Sequence, residues 1–267
     1  MHQLGAAELG RLRALVPPHQ RAGHMAFVHA IIDGLQSGCV FVDDVVAPRS
    51  ALVFNHSGFA FALGEPRADL FASMLPALVV QPWLTAERTS LWCTEPGWHS
   101  GLRPLLHEPQ WRDEFHFDWR RAPVAAALPP GYRLAPLDAG LAARWGKGLD
   151  PWVVRIWGGA ARFAARAFGT GVLFGDALVA ICTVCAVAGY PGAVEAEIEI
   201  GTDPAHRRKG LAVAAAVAFF EQCRERDVLP AWTCSSTNLA SQLAAARLGF
   251  REFRKVAGFR MAAAALA

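Results

Sequence analysis

No run of the sequence approaches the roughly 18 uninterrupted apolar residues of a membrane-spanning helix, which argues against an integral helical membrane protein. The amino terminus, Met1-His2-Gln3-Leu4-Gly5, lacks the basic stretch and apolar run of a secretory signal, so a soluble cytoplasmic chain is expected, with no membrane partner. Charge bias is slight: 26 Lys and Arg against 23 Asp and Glu leave a formal net charge of +3, and a nucleic-acid partner would demand a stronger basic excess. No period of about 20 to 50 residues repeats, which excludes a solenoid or propeller. The 6 cysteines are scattered, and the lone Cys182-x-x-Cys185 falls in a β-rich run where side chains three apart face opposite sides. His99, His107 and His116 lack the close pairing of a zinc motif, and no nucleophile elbow accompanies any Ser-His-Asp set. Reduced thiols, no bound metal and no hydrolase chemistry are therefore expected.

With 53% hydrophobic residues, a chain of 267 residues suffices for one large or two ordinary domains. Helical spacing predicts a first helix over 23–36, and β-rich runs at 39–43, 51–55 and 59–63 predict an antiparallel meander. Helices over 68–79 and 99–107 and a strand over 89–93 complete a first unit. The small, proline-flanked stretch 122–130 marks a boundary, so an N-terminal α/β domain of 1–125 and a second domain of 126–267 are expected. Beyond it come a strand at Tyr132-Arg133-Leu134, helices over 138–146 and 151–167, and strands 171–174 and 178–187 joined by a Gly175-Asp176 turn. A strand over 194–202, a helix to Arg226, a strand at 231–234, a helix from Asn238 and a last strand from Phe250 complete the chain. The order is mixed α/β.

The densest signal lies within 195–220. An amphipathic strand leads through Asp203-Pro204 into Arg207-Arg208-Lys209-Gly210-Leu211-Ala212 and directly into an alanine-rich helix. A helix start presents unpaired N–H groups and the equivalent of about half a positive charge, so an anion placed there gains hydrogen bonds and field together. Gly210 would let phosphates approach the backbone, and the three cations add local charge. A solvated basic turn is the alternative.

In this setting the sequence resembles the GNAT superfamily of acyl-CoA N-acyltransferases, whose R/Q-x-x-G-x-G/A signature is matched by Arg207, Gly210 and Ala212. Asn238, opening the next helix, and Leu248-Gly249-Phe250, closing it, agree with the same family. The run from Thr202 through Trp232, Asn238, Ser241 and Ala244 to Phe250 is similar to the zwittermicin A self-resistance type of acetyltransferase, which carries an extra N-terminal α/β domain. The segments 38–44 and 48–52 are similar to that first domain. The resemblance implies an α/β (α+β) chain: a C-terminal GNAT fold with a splayed mixed, mostly antiparallel sheet flanked by helices, and a smaller N-terminal domain that helps shape the acceptor site. It implies acetyl-CoA as cosubstrate, with backbone groups of Ile200 and Thr202 on the pantetheine arm. Arg207, Arg208, Lys209, Gly210, Leu211 and Ala212 would then hold the pyrophosphate. Asn238 would hydrogen-bond the cofactor near that arm, a plain N-cap being its alternative.

Transfer to an amine needs a neutral nucleophile, and a lysine-like amine with a pKa of about 10.4 costs roughly 4 to 5 kcal/mol to deprotonate at pH 7. A placed general base is the usual remedy. Glu195, Glu197 and Glu199 alternate along one strand face, which reads either as three carboxylates sharing a surface or as the polar side of a half-exposed strand. The resemblance favours Glu197 as base, with Glu199 second. Where many of these enzymes carry an acidic tyrosine, seven residues after the Asn, this chain has Ala245. Water, Ser235, Ser236 or Tyr190, one of 2 tyrosines, then stand as donors to the departing thiolate. Among 9 tryptophans, Trp92, Trp98, Trp111, Trp119, Trp152 and Trp157 are expected chiefly in cores, with an acceptor cleft the alternative.

The leading expectation is an N-acetyltransferase acting on a small-molecule amine. A catalytically silent acyl-CoA-binding or interaction module and a protein N-terminal or lysine acetyltransferase are the alternatives, and homo-oligomer formation stays open.

Overall fold

In chain order the computed structural model has strands β1 (His2–Gln3), β2 (Gly38–Val42), β3 (Ser50–Asn55), β4 (Phe59–Gly64), β5 (Ser90–Cys93), β6 (Leu106–Phe117), β7 (Tyr132–Pro136), β8 (Gly169–Phe174), β9 (Ala177–Tyr190), β10 (Ala193–Thr202), β11 (Leu229–Ser235) and β12 (Phe250–Met261). The structure describes residues 2–16, 25–67, 69–70, 72–73, 90–93, 95–102, 106–117, 127–145, 149–190 and 193–261. The chain separates into two compact units, Met1–Gln20 with Phe27–Arg112 and Lys255–Ala267, and Arg21–Ala26 with Asp113–Arg254.

In the first unit β1, β2, β3 and β4 pair antiparallel in sequence order, and β5 joins β4 in parallel. The end of β12 adds to β5 antiparallel, with Gly258 opposite Trp92. The expected meander is present with each boundary within a residue. It forms because β3 and β4 carry almost unbroken apolar runs, SALVFN and FAFALG, which bury Leu52, Val53, Phe54, Phe61 and Leu63. The helix Ala26–Ile32 contributes Val28 and Ile31 to the same core. It stops short of the expected 36, since Gly34 turns the chain at a φ of 65°. The helix expected over 99–107 is Gly97–Leu102. Residues from Leu106 form β6 instead. The helix expected over 68–79 falls largely outside the described residues.

The second unit repeats that pattern. β7, β8, β9 and β10 pair antiparallel in sequence order, β11 joins β10 in parallel, and β6 lies beyond β11. The helix Leu211–Glu225 packs on β8 and β9 through Leu211, Ala214, Ala215, Phe219 and Cys223, all buried. Small alanines let its backbone lie close to the sheet, while Phe219 stacks on Phe168 at 5.2 Å. The amide of Gln222 ties the helix to β8, donating to the Gly169 carbonyl at 3.2 Å and to the Thr170 hydroxyl at 2.8 Å. The single helix expected over 151–167 is two, Trp152–Ile156 and Ala160–Arg166. Gly158 and Gly159, at φ 86° and 109°, break it in conformations that L side chains rarely adopt. The whole is a mixed α/β chain with two mostly antiparallel sheets flanked by helices, as expected. No helix among the described residues is long and apolar enough to cross a membrane.

Candidate functional site

Strand β10 forks. On one side it stays paired with β9 along its whole length, from Ala193 opposite Tyr190 to Thr202 opposite Ala180. On the other its register with β11 runs only from Glu195 opposite Leu229 to Glu197 opposite Ala231. A β-bulge falls at the same point, because Glu197 faces Ala186 and Ile198 faces Val184, leaving Cys185 as the extra residue of β9. Bulges bend a strand and increase its twist. Residues 198–202 therefore continue beyond the β11 register as a strand edge.

Glu197 sits at the crotch of this fork. It is 2% exposed, and so is Glu195, which removes the half-exposed reading of the strand. Ala196 and Ile198 on the other face are buried as well. A buried carboxylate needs hydrogen-bond partners. Glu197 finds them in Thr233 of β11, whose backbone N–H donates to Oε1 at 3.0 Å and whose hydroxyl donates to the same oxygen at 2.6 Å. Thr233 has no motif around it, and its role depends on a contact between positions 36 residues apart. Glu199 is half-buried, and its charge adds to the burial and the nearby Cys223 that drive the Cys182 thiol upward.

The loop after β10 runs through a short 3-10 turn to the start of the helix Leu211–Glu225. Asp203 caps the short 3-10 turn Pro204–His206, accepting from the Ala205 N–H at 2.9 Å. Arg208 and Gly210 then take positive φ values of 63° and 76°. For Arg208 that conformation costs roughly 1 kcal/mol. The first intrahelical bond of Leu211–Glu225 runs from the Ala214 N–H to the Gly210 carbonyl at 3.0 Å, so the N–H groups of Leu211, Ala212 and Val213 precede it at the open end. A Cβ added at Gly210 would meet nothing within 4 Å, so the helix start is open at that position.

Arg207, Arg208 and Lys209 are exposed, and two of them are engaged. Arg207 donates from Nε to the Thr202 carbonyl at 3.1 Å, taking up one of the backbone groups expected to meet the pantetheine arm. Lys209 donates from Nζ to the Tyr132 hydroxyl at 2.8 Å, and that hydroxyl lies 2.9 Å from His206 Nδ1. Because an ammonium only donates, the phenol oxygen accepts from Lys209, and which partner donates in the Tyr132–His206 bond is set by the imidazole tautomer. Phe174 closes on Tyr132 at 4.9 Å. This Tyr132–His206–Lys209 cluster brings β7 to the loop, a juxtaposition that position along the chain does not announce.

Asn238 caps the helix Leu239–Arg247, accepting from the Ser241 N–H at 3.1 Å. The cap uses Oδ1, and among the described residues the Nδ2 donors are uncommitted. Ala245 is buried, so the family's tyrosine position faces inward here and offers no hydroxyl. Ser235 is exposed and shares a 2.9 Å hydrogen bond with the Thr237 hydroxyl, and Ser236 is half-buried. The Tyr190 side chain and those of Trp111 and Trp119 lie outside the described residues. Trp92, Trp98 and Trp157 are core residues, each nearly fully buried.

Burial pushes the Cys93 thiol up to about 12 and also raises those of Cys182 and Cys223, which disfavours their thiolates. Cys39 lies 3.8 Å from His56, but burial raises the thiol and lowers the imidazole, so the pair is neutral and not a thiolate–imidazolium. Among the described residues no group of three or more His, Cys, Asp or Glu is placed to hold a metal ion.

Comparison with known proteins bears on the same stretch. The family model for GNAT acetyltransferases matches residues 19–259. An uncharacterized N-acetyltransferase of Bacillus subtilis (strain 168), YdfB, is 28% identical over 228 residues, covering 84% of this chain and 86% of its own. Among solved structures, a GCN5-related N-acetyltransferase-like protein from Streptococcus suis 89/1591 superposes with a TM-score of 0.69 at 20% identity, covering 96% of this chain and 100% of its own. A tandem GNAT protein from the clavulanic acid biosynthesis pathway gives a TM-score of 0.62 at 17% identity, covering 96% of each chain.

Proposed function

We propose, for a chain that belongs to the GNAT acetyltransferase family and is an N-acyltransferase, that it moves the acetyl group of acetyl-CoA to the amine of a small molecule by direct attack, with Glu197 as general base. The observation that carries this reading is the position of Glu197: a buried carboxylate held at the point where β10 leaves β11, on the strand that runs on into the anion loop.

The residues present fit an acyl-CoA. The open space at Gly210, the leading amides of the helix and the three adjacent cations suit a pyrophosphate, and the edge of β10 at Ile200 suits an extended amide-bearing arm. When bound, the thioester supplies an activated acetyl group and a thiolate leaving group. The chain supplies the rest. Glu197 takes one proton from the attacking nitrogen. Asn238 offers its amide donors to the arm. Thr202 is released for binding only if Arg207 turns from its carbonyl to the phosphates, so Arg207 is given two alternative partners. With no hydroxyl at position 245, the thiolate takes its proton from water or from Ser235. A thiol reference pKa of about 8.5 makes a strong acid unnecessary. Glu199 is the second choice of base. The finer likeness to the zwittermicin A self-resistance type, with an N-terminal domain of 1–125 that helps shape the acceptor site, is part of the same proposal.

A second reading has its own support in Ala245: an acyl-CoA-binding module without turnover. Thiol release from acetyl-CoA, monitored over a panel of primary amines, amino acids and aminoglycosides, separates the two. The expected result is turnover with at least one amine, and a fall of about 100-fold or more in kcat for Glu197→Gln with CoA binding unchanged. CoA binding without turnover on any amine supports the silent module, and full activity in Glu197→Gln removes Glu197 as base.

A further inference from the structure

We infer that Thr233 is a positioning residue for the acyl transfer, holding the Glu197 carboxylate in place through two donors on Oε1; the inference rests on the reading of Glu197 as base. The carboxylate has two donors on Oε1, both from Thr233 and both short, at 3.0 and 2.6 Å. Two donors from a single residue fix both the place of the group and the plane in which it lies. The residue type matters as much as the distances. Threonine is β-branched and stiff at χ1, and strand packing leaves it little rotamer choice, so its hydroxyl is preset toward Glu197. Thr233 is 8% exposed, which removes competing water from the clamp.

The fork supplies the second donor. The last β11 residue in register with β10 is Ala231, opposite Glu197. Two residues on, the Thr233 N–H reaches the side chain of Glu197, where a continuing ladder would have directed it to the β10 backbone. The splitting of the sheet and the clamping of the carboxylate are thus one arrangement. Among the described residues, those facing Glu197 on β9 at the bulge are Ala186, Cys185 and Val184, its β11 partner is Ala231, and the neighbouring carboxylates on β10 are Glu195 and Glu199. A donor to the charged form of an acid favours ionisation, and an ionised Glu197 is the form that accepts a proton.

The test uses the full chain with Thr233→Val, which keeps size and the backbone donor but removes the hydroxyl, and Thr233→Ser, which restores it. The Glu197 carboxyl is followed by carbon NMR on glutamate-labelled protein, its signal assigned by its loss in Glu197→Gln. Thr233→Val should raise the Glu197 titration midpoint by about one pH unit, and Thr233→Ser should return it close to its original place. In the thiol-release assay, Thr233→Val should lower kcat about tenfold with KM for acetyl-CoA unchanged and move the acidic limb of the kcat profile upward by the same amount. In a Glu197→Gln background the same substitution should have no further effect. A Glu197 signal that titrates identically in Thr233→Val and the unmodified chain overturns the inference. Full activity in Glu197→Gln would instead overturn the reading of the base, whatever the NMR midpoint does.

Discussion

Gly210 and Asp43 show how a single residue's surroundings set what its replacement does. At Gly210 the backbone stands at φ 76° with open space around the missing Cβ. Gly210→Leu therefore strains the loop by roughly 1 to 2 kcal/mol, its Cβ meets no neighbour, and on the proposed reading its bulk hinders a phosphate approaching the loop. The expected outcome is a CoA Kd raised about tenfold or more, with a Tm change of only a few degrees, read by calorimetric titration and thermal melting. Unchanged CoA affinity would remove the phosphate role from the loop. Asp43 is a structural counterpart. Burial alone would raise its pKa, but the backbone N–H groups of Ser50 and Arg49, each at 3.0 Å, outweigh that and hold the carboxyl below its ordinary range. A depressed folded-state value contributes stability above the unfolded carboxyl value of about 3.9 and loses it as pH falls through the folded one. Asp43→Asn should then cost about 1 to 2 kcal/mol near neutrality in urea unfolding, and the gap should close below about pH 4. Gly210 was legible in the sequence because its pattern is local, glycine between a strand and a helix. Thr233 was not, because its partner lies across a sheet register that no local pattern encodes.

Elements carry the next level, and the helix Leu239–Arg247 poses the sharpest question. Asn238 caps it with one end of its amide and keeps the other end uncommitted among the described residues, so capping and cofactor binding are both open to it. Serine caps nearly as well as asparagine but has no amide donors. Asn238→Ser should leave Tm nearly unchanged and raise KM for acetyl-CoA severalfold, whereas Asn238→Ala should lose about 1 kcal/mol of stability as well. Equal acetyl-CoA KM values in Asn238→Ser and the unmodified chain would reduce Asn238 to a cap. The strands at 39–43, 51–55 and 59–63 were readable because apolar runs bounded by turns have few other solutions. The helix over 151–167 was misjudged because its apolar spacing continues through Gly158 and Gly159, whose positive φ values end it regardless. β6 was missed because LHEPQWRDEFHF mixes proline, charge and aromatics, so that pairing with other strands, not propensity, makes it a strand.

At the scale of the whole molecule, the two units share a strand order that no sequence repeat reveals: four strands antiparallel in turn and a fifth in parallel with the fourth. They differ in the fourth strand and in the loop into which it leads. β10 carries three glutamates, outruns β11 beyond Glu197 and opens onto Gly210, where a side chain would find empty space. β4 is FAFALG, without a carboxylate, and stays in register with β5 from Phe59 to Ala62. It ends at Gly64, which also has a positive φ, 70°, but a Cβ there would lie 2.1 Å from the Arg49 carbonyl oxygen. One glycine therefore has an open Cβ position and the other a wall of backbone, and the stretch after Gly64, Glu65-Pro66-Arg67, brings an acid and a proline where the second unit brings three cations. On the proposed reading the acyl-CoA site is the one bordered by Gly210, on the second unit, and among the described residues the first unit shows no matching loop. Calorimetric titration of CoA into the full chain should give a single site, and Gly210→Leu should weaken all of it. A stoichiometry of two, or a site that keeps its affinity in Gly210→Leu, would place a second cofactor on the first unit and require a cradle there that Gly64 does not provide.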